Sequence, residues 1–266
     1  MLNRKKLMII AVMLLIVGFG GALFTYPSIG AGETVEEERT FTETISDVVI
    51  ETDNSMIEIL PTDDGMTTVE FIGDTRNKAR YRYKSEVEDG TLQVSVKEKI
   101  LQFFSFDFSL KSAAVRVHLP EKDYRSLTAD TDNGKVRIEN LTSDIISAES
   151  TNGQMVFENL QTQTVTLQSV NGKIKTKDIA GELKAEVTNG TIDVEAKSLD
   201  QPIDLESVNG KIHVRVDEEP VNSEIIVDVV NGKVDIFGSN SRHRMFGDGE
   251  NVVKIQTVNG RVSVGY

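Results

Sequence analysis

The chain has 266 residues, no Cys, no Trp and five Pro, and a formal net charge of −13 at pH 7. Arg4, Lys5 and Lys6 are the only charges before Glu33, so the rest of the chain carries −16. That balance argues against nucleic acid, which needs a basic footprint, and against docking on anionic headgroups. The missing cysteines remove a disulfide framework and a thiolate metal site.

Residues 7–24 hold no charge and follow the three basic residues. Eighteen apolar residues suit a spanning helix better than the shorter core of a signal peptide. The basic residues stay cytoplasmic, which sends the remainder outside. A cleaved signal is the competing reading, with the Ser28-Ile29-Gly30 stretch supplying small residues, Ser28 and Gly30, at the spacing of a cleavage point. The segment divides the chain into a cytoplasmic tip and transmembrane anchor (1–25), a linker (26–40) and an extracytoplasmic domain (41–266). The linker carries Glu33, Glu36, Glu37 and Glu38.

Val48, Ile50 and Thr52 alternate up to Asp53, Asn54 and Ser55, and Ile57 and Ile59 continue beyond. This is expected to be the first and terminal unit of a repeat. Residues 61–120 break the period, with strands expected over 67–72, 83–87, 92–96 and 113–119 and a turn at Glu88, Asp89 and Gly90. They read as an antiparallel sheet capping the open end. Within them Phe103, Phe104, Phe106 and Phe108 form either a capping strand or an aromatic binding surface.

From residue 127 Asn-Gly recurs seven times, at Asn133-Gly134, Asn152-Gly153, Asn171-Gly172, Asn189-Gly190, Asn209-Gly210, Asn231-Gly232 and Asn259-Gly260. The steps between the asparagines are 19, 19, 18, 20, 22 and 28 residues. The residues six and four before each Asn are apolar (Leu127 and Ala129, Ile146 and Ala148, and so on). Those two before are small or β-branched, and apolar residues dominate two and four after the Gly. Period-two alternation of this kind marks half-buried strands. Two architectures fit it. Asn-Gly between alternating strands is a hairpin signal, which would give an antiparallel meander. A parallel β-solenoid would instead stack each unit as one rung about 4.8 Å from the next. Identity within columns favours the solenoid, because only there does like lie on like. With the N-terminal unit it would have about eight rungs, the capping sheet being inserted after the first. In a solenoid the asparagines would form a hydrogen-bonded ladder at one corner, each glycine supplying φ > 0, with Asn259 at the chain's end having one neighbour at most. The insertions at 217–224 and 238–251 would lie on one side.

Outward columns carry the charge. Three before each Asn stand Asp130, Glu149, Gln168, Glu186, Glu206, Asp228 and Gln256; one after each Gly stand Lys135, Gln154, Lys173, Thr191, Lys211, Lys233 and Arg261. The carboxylates could hold a divalent cation or act on a glycan; a solvated face relieved by the nearby cations is the simpler reading, since an active site is usually built once. His118, His213 and His243 have no second His at metal-ligand spacing, and no catalytic motif is present. No cofactor, metal or catalytic residue is expected.

The N-terminal apolar run, the stretch at 130–141, the SVNGKI and TVNG units and the FSFDFSLK segment resemble the bacterial adhesin-like family of β-solenoid proteins of unknown function. LiaG-type membrane-anchored members, encoded beside an envelope stress response system, are the most similar. The resemblance implies a non-enzymatic binding or scaffold protein of the cell envelope, with an envelope protein or glycan as partner and no nucleic acid. A glycan-active β-helix enzyme and a purely structural spacer are the competing readings. The family brings no catalytic or binding residues to carry over.

Overall fold

The computed structural model describes residues 34–74, 81–98 and 113–266, and the anchor segment 7–24 lies outside them. The described residues are all-β, without helix. The strands are β1 (Thr34–Phe41), β2 (Asp47–Thr52), β3 (Ser55–Thr62), β4 (Thr67–Asp74), β5 (Tyr81–Glu88), β6 (Thr91–Glu98) and β7 (Ala113–Pro120). Then come β8 (Asp123–Glu139), β9 (Thr142–Ala196), β10 (Ile203–Val216), β11 (Ser223–Ile236), β12 (His243–Phe246) and β13 (Asn251–Gly265).

Asn-Gly does not close hairpins. β9 runs unbroken for 55 residues through three Asn-Gly corners, and successive units pair in parallel, residue for residue. Asn133 lies beside Asn152 and Gly134 beside Gly153; Asn209 lies beside Asn189 and Gly210 beside Gly190. The stack is solenoid-like, and the meander is rejected. Each unit bends at its Asn-Gly, so the columns before and after it face one shared interior. Leu127, Ile146, Val165, Leu183, Ile203, Ile225 and Val253 are all buried, as are Val136, Met155, Ile174, Ile192, Ile212 and Val262. A further buried column at the far bend, Leu141, Leu160, Ile179 and Leu199, completes the core. Just before it Asn140, Asn159 and Asp178 adopt left-handed backbone, with φ of 55°, 55° and 51°. Asn and Asp tolerate that region better than other side chains with a Cβ.

Four expectations from sequence do not hold. The last two units do not stack in chain order: β13 lies between β10 and β11, parallel to both. The chain passes one layer at β11, turns back through β12, which pairs antiparallel with β11, and fills the vacant layer with β13. The same columns satisfy either order, and only the 28-residue step gives room for the return. The first unit, β2 and β3, is not terminal, because β6 pairs in parallel with β2, and β7 with β3. The strands of 61–120 are thus only partly a cap: β4 and β5 are antiparallel to β7 and β6, whereas β6 and β7 extend the parallel stack. Finally, β1 begins at Thr34, inside the expected linker, and pairs antiparallel with β4 at the sheet's edge. Charged residues are the usual dress of an edge strand, which is why its glutamates read as linker.

The two insertions do meet. Asp200 accepts the amides of Val221 (2.9 Å) and Asn222 (2.7 Å) and the hydroxyl of Ser223 (3.0 Å). Burial raises its pKa, but these donors and Ser198 together hold it below the usual value. Asn222 in turn donates to Glu250 (2.8 Å) and accepts the Glu250 amide (3.0 Å). At the other end, Asp47 of β2 is buried and accepts from Arg125 Nε (2.8 Å), Ser126 Oγ (2.6 Å) and Ser46 Oγ (2.6 Å).

The Arg125 guanidinium lowers the Asp47 pKa to about 2, against the opposing effect of burial. A folded pKa below the unfolded one gives stability that is present above the unfolded value and is lost as pH falls through the folded value. Removing Asp47 (Asp47→Ala) is therefore expected to cost about 2 kcal/mol at neutral pH, with the gap to wild type closing between about pH 4 and pH 2. Urea unfolding across that range tests this; a gap independent of pH would mean that the carboxylate's charge is not what matters.

Candidate functional site

The strand leading into each Asn-Gly corner turns a buried residue inward two places before the Asn. The residues three and one place before it stand outward on either side. Stacking converts this local alternation into a groove that crosses successive layers, with a volume of about 480 Å³. One wall carries Glu51, Asp130, Glu149, Gln168, Glu186 and Glu206; the other carries Asp53, Asp132, Thr151, Val170, Thr188 and Val208. The floor is Thr52, Thr131, Ser150, Ser169 and Val187. The facing wall changes character along the stack, from carboxylates beside β2 and β8 to exposed valines at Val208, Val258 and Val230 near β10, β13 and β11.

Charge in the groove is largely uncompensated. Lys97 reaches Glu51 (3.3 Å) and Asp53 (3.8 Å). Contrary to the expectation from sequence, the cation column after the glycines does not relieve the carboxylate column. Lys173 pairs instead with Asp193 on its own side of the corner. Burial raises the pKa of Asp130, with Glu149 and Glu51 adding to the rise. Among the described residues no three carboxylate or imidazole groups converge on a point that could hold a metal ion. In-register stacking spaces the carboxylates out rather than gathering them. The floor hydroxyls are unusual: Thr52 and Thr131 bond each other at 3.0 Å, whereas Ser150, Ser169, Ser207 and Thr257 are buried without a partner.

The rim of the groove is the asparagine ladder. Asn133 donates to Asn54, Asn152 to Asn133, Asn171 to Asn152, Asn189 to Asn171 and Asn209 to Asn189, at 2.7–3.1 Å. Asn259 donates to Asn209 (2.9 Å) and accepts from Asn231 (3.1 Å). Asn259 therefore has a neighbour on both sides, and Asn231 has one, the reverse of what chain order implied. The ladder is solvent-exposed, so each rung contributes an ordinary net hydrogen bond. Asn259→Ala is expected to cost about 0.5–1.5 kcal/mol, as much as Asn189→Ala, and Asn231→Ala clearly less. Urea titration of the three variants decides it; a larger loss at Asn231 than at Asn259 would contradict the ladder.

The glycines serve a different purpose from the one the sequence suggested. Of the seven only Gly153 and Gly190 have φ inside the positive region, at 150° and 154°. What all seven share is closeness. A Cβ on Gly153, Gly190 or Gly210 would lie 1.8 Å from the carbonyl oxygen of the glycine one layer back, and on Gly260 or Gly232 only 1.6 Å. Backbone meets backbone at this corner, and no side chain fits between.

The other sequence candidates lie apart from the groove. Phe103, Phe104, Phe106 and Phe108 fall outside the described residues. His213 is half-buried and shares a 2.6 Å hydrogen bond with Ser263 rather than standing free in solvent. Sequence reasoning finds the carboxylate wall and the floor as columns but misses the facing wall one place before each Asn, and with it the groove as a shape; the signal is the run of small residues between two outward positions.

A family model described as Toastrack DUF4097 matches residues 45–180 and, overlapping, 146–265, as a chain with internal repetition would. No curated protein matches the sequence. Among solved structures, the chain is similar to a "putative cell adhesion protein" from Clostridium sporogenes, at 16% identity and a TM-score of 0.42, over 88% of this chain and 99% of that one. It is similar to a "putative adhesin" from Bacteroides fragilis, at 15% identity and a TM-score of 0.44, over 87% and 97%. It is also similar to a "putative lipid binding protein" from Parabacteroides distasonis, at 13% identity and a TM-score of 0.41, over 88% and 98%. With the family model spanning well over half of its length, the chain belongs to the Toastrack DUF4097 family.

Proposed function

We propose that this protein is a non-enzymatic, adhesin-like binding or scaffold protein of the bacterial cell envelope, anchored by residues 7–24 with its β domain outside the membrane. A LiaG-type role beside an envelope stress response belongs to the same reading. The observation that carries it is the groove, whose columns repeat from layer to layer across the stack. A surface that repeats about every 4.8 Å suits an extended partner, a protein segment or a glycan strand, better than a compact substrate. Its carboxylates favour a partner with basic or hydroxyl groups.

Site-specific photocrosslinking in intact cells tests the binding surface. A benzophenone side chain at Val170 or Val208, on the groove wall, should give a discrete adduct that the same group at Lys175 does not. Equal labelling at all three positions, or none at the groove, would reject it. For the anchor, the full-length protein should stay with membranes through alkaline carbonate while external protease digests it in spheroplasts. A mature form starting near Ala31 would show cleavage instead. A second reading, action on a glycan, draws on one observation, the raised pKa of Asp130 between Glu149 and Glu51. It requires a glycan turnover that Asp130→Asn abolishes.

A further inference from the structure

The opposite side of the same corner carries a feature that the groove does not use. In the column one place after the glycines, a neutral residue first separates the cations: Lys135, Gln154, Lys173, Thr191. Then the pattern stops. Lys211 lies directly beside Arg261 on β13, and Arg261 directly beside Lys233 on β11. All three are exposed, and among the described residues none has an ion-pair partner. Like charges facing each other across adjacent strands destabilise a sheet. The segment that follows β11 adds to the cluster. It turns back at Phe237 and Gly238, where φ is 50° and 77°, and carries Asn240 and Arg242 over the same face.

The result is a cleft of about 660 Å³ lined by Lys233, Arg261, Arg242, Asn240, Ser263 and Asp235. Its single carboxylate is already engaged, Asp235 Oδ1 accepting the Gly238 amide at 2.8 Å. Arg242 keeps only the long contact of 3.8 Å to Asp228. Three cations, an amide and a hydroxyl therefore converge on one cleft in a chain whose net charge is −13. Two guanidinium groups and an ammonium supply the charge-assisted, bidentate donors that phosphate oxygens match.

We propose that this cleft is a binding site for a phosphate group, separate from the groove and independent of what the groove binds. The cations of β11 and β13 hold the anion, and Arg242 closes on it from the returning segment. The surrounding negative charge repels extended anionic surfaces and leaves a single phosphate-bearing group as the fitting ligand.

Full-length protein in maltoside micelles, titrated calorimetrically with inorganic pyrophosphate and separately with glycerophosphoglycerol, tests this and separates the two sources of phosphate. Binding of pyrophosphate would mark a soluble phosphate ligand, and binding of glycerophosphoglycerol alone a lipid-derived headgroup. In either case Arg261→Gln should weaken binding about tenfold or more, and Arg242→Gln, in the returning segment, should weaken it similarly. Lys135→Gln, in the same column four layers away from Lys211, should leave it unchanged. Failure of both probes to bind, or an equal loss in Lys135→Gln, would overturn the site.

Discussion

Gly260→Ala is expected to cost about 3 kcal/mol or more, a loss beyond the range of ordinary surface substitutions. The added Cβ would stand 1.6 Å from the Gly210 carbonyl oxygen and 3.1 Å from Thr257 Oγ1. The oxygen belongs to a parallel ladder and cannot rotate away without breaking the pairing of β10 with β13. The Gly260 carbonyl is itself the group against which Gly232 packs, so a displaced Gly260 disturbs β11 as well. Gly265→Ala on the same strand is the control, because no atom lies within 4 Å of its Cβ position. Its effect should stay within about 0.5 kcal/mol. Similar midpoints for the two variants in urea would show that the corner is not the close backbone contact described.

Phe157→Ala should cost about 3–5 kcal/mol, the range for deleting a buried aromatic ring. Phe157 is wholly buried and lies beside Ile138 of the preceding layer. One unit later the same column holds Thr176, buried and with its hydroxyl unpartnered. A large ring next to a small residue is how one column absorbs layers of unequal volume in a close-packed interior. Thermal or urea unfolding of the full-length chain measures the loss. A cost below about 1 kcal/mol would mean that the interior is loosely packed at this layer.

Much of this fold was legible because its period is written in side chains that face one way. The columns of Leu127, Ala129 and Val136 and their equivalents named the core, and the Asn-Gly pair named the corner. The order of the last two layers was not legible, because β11 and β13 carry interchangeable columns and either satisfies β10. The layer formed by β6 and β7 was hidden for the opposite reason: its two strands share the columns but have no Asn-Gly between them, residues 99–112 taking that place. β1 was hidden by its glutamates. Of the candidate sites, both charged columns were visible, but not that the Asn-Gly corner turns them to different sides. The carboxylates therefore line a groove and the cations a separate cleft, instead of neutralising each other. The glycine was recognised for the wrong reason, since turn statistics encode φ and say nothing of a carbonyl one layer away.

The intercalation of β13 between β10 and β11 sets which residues are neighbours in the last layers, including the order of the ladder and of Lys211, Arg261 and Lys233. The chain contains no cysteine, so pairs can be introduced without background. His213 lies beside Ser263, and Ser263 beside Asp235, so His213 and Asp235 stand two layers apart, about 9.6 Å. A disulfide cannot bridge Cα atoms more than about 7 Å apart. Under mild oxidation the His213→Cys, Ser263→Cys double variant should form an intramolecular disulfide, and the His213→Cys, Asp235→Cys variant should not. Efficient closure of the second pair with none in the first would put the layers back in chain order and contradict the structure described.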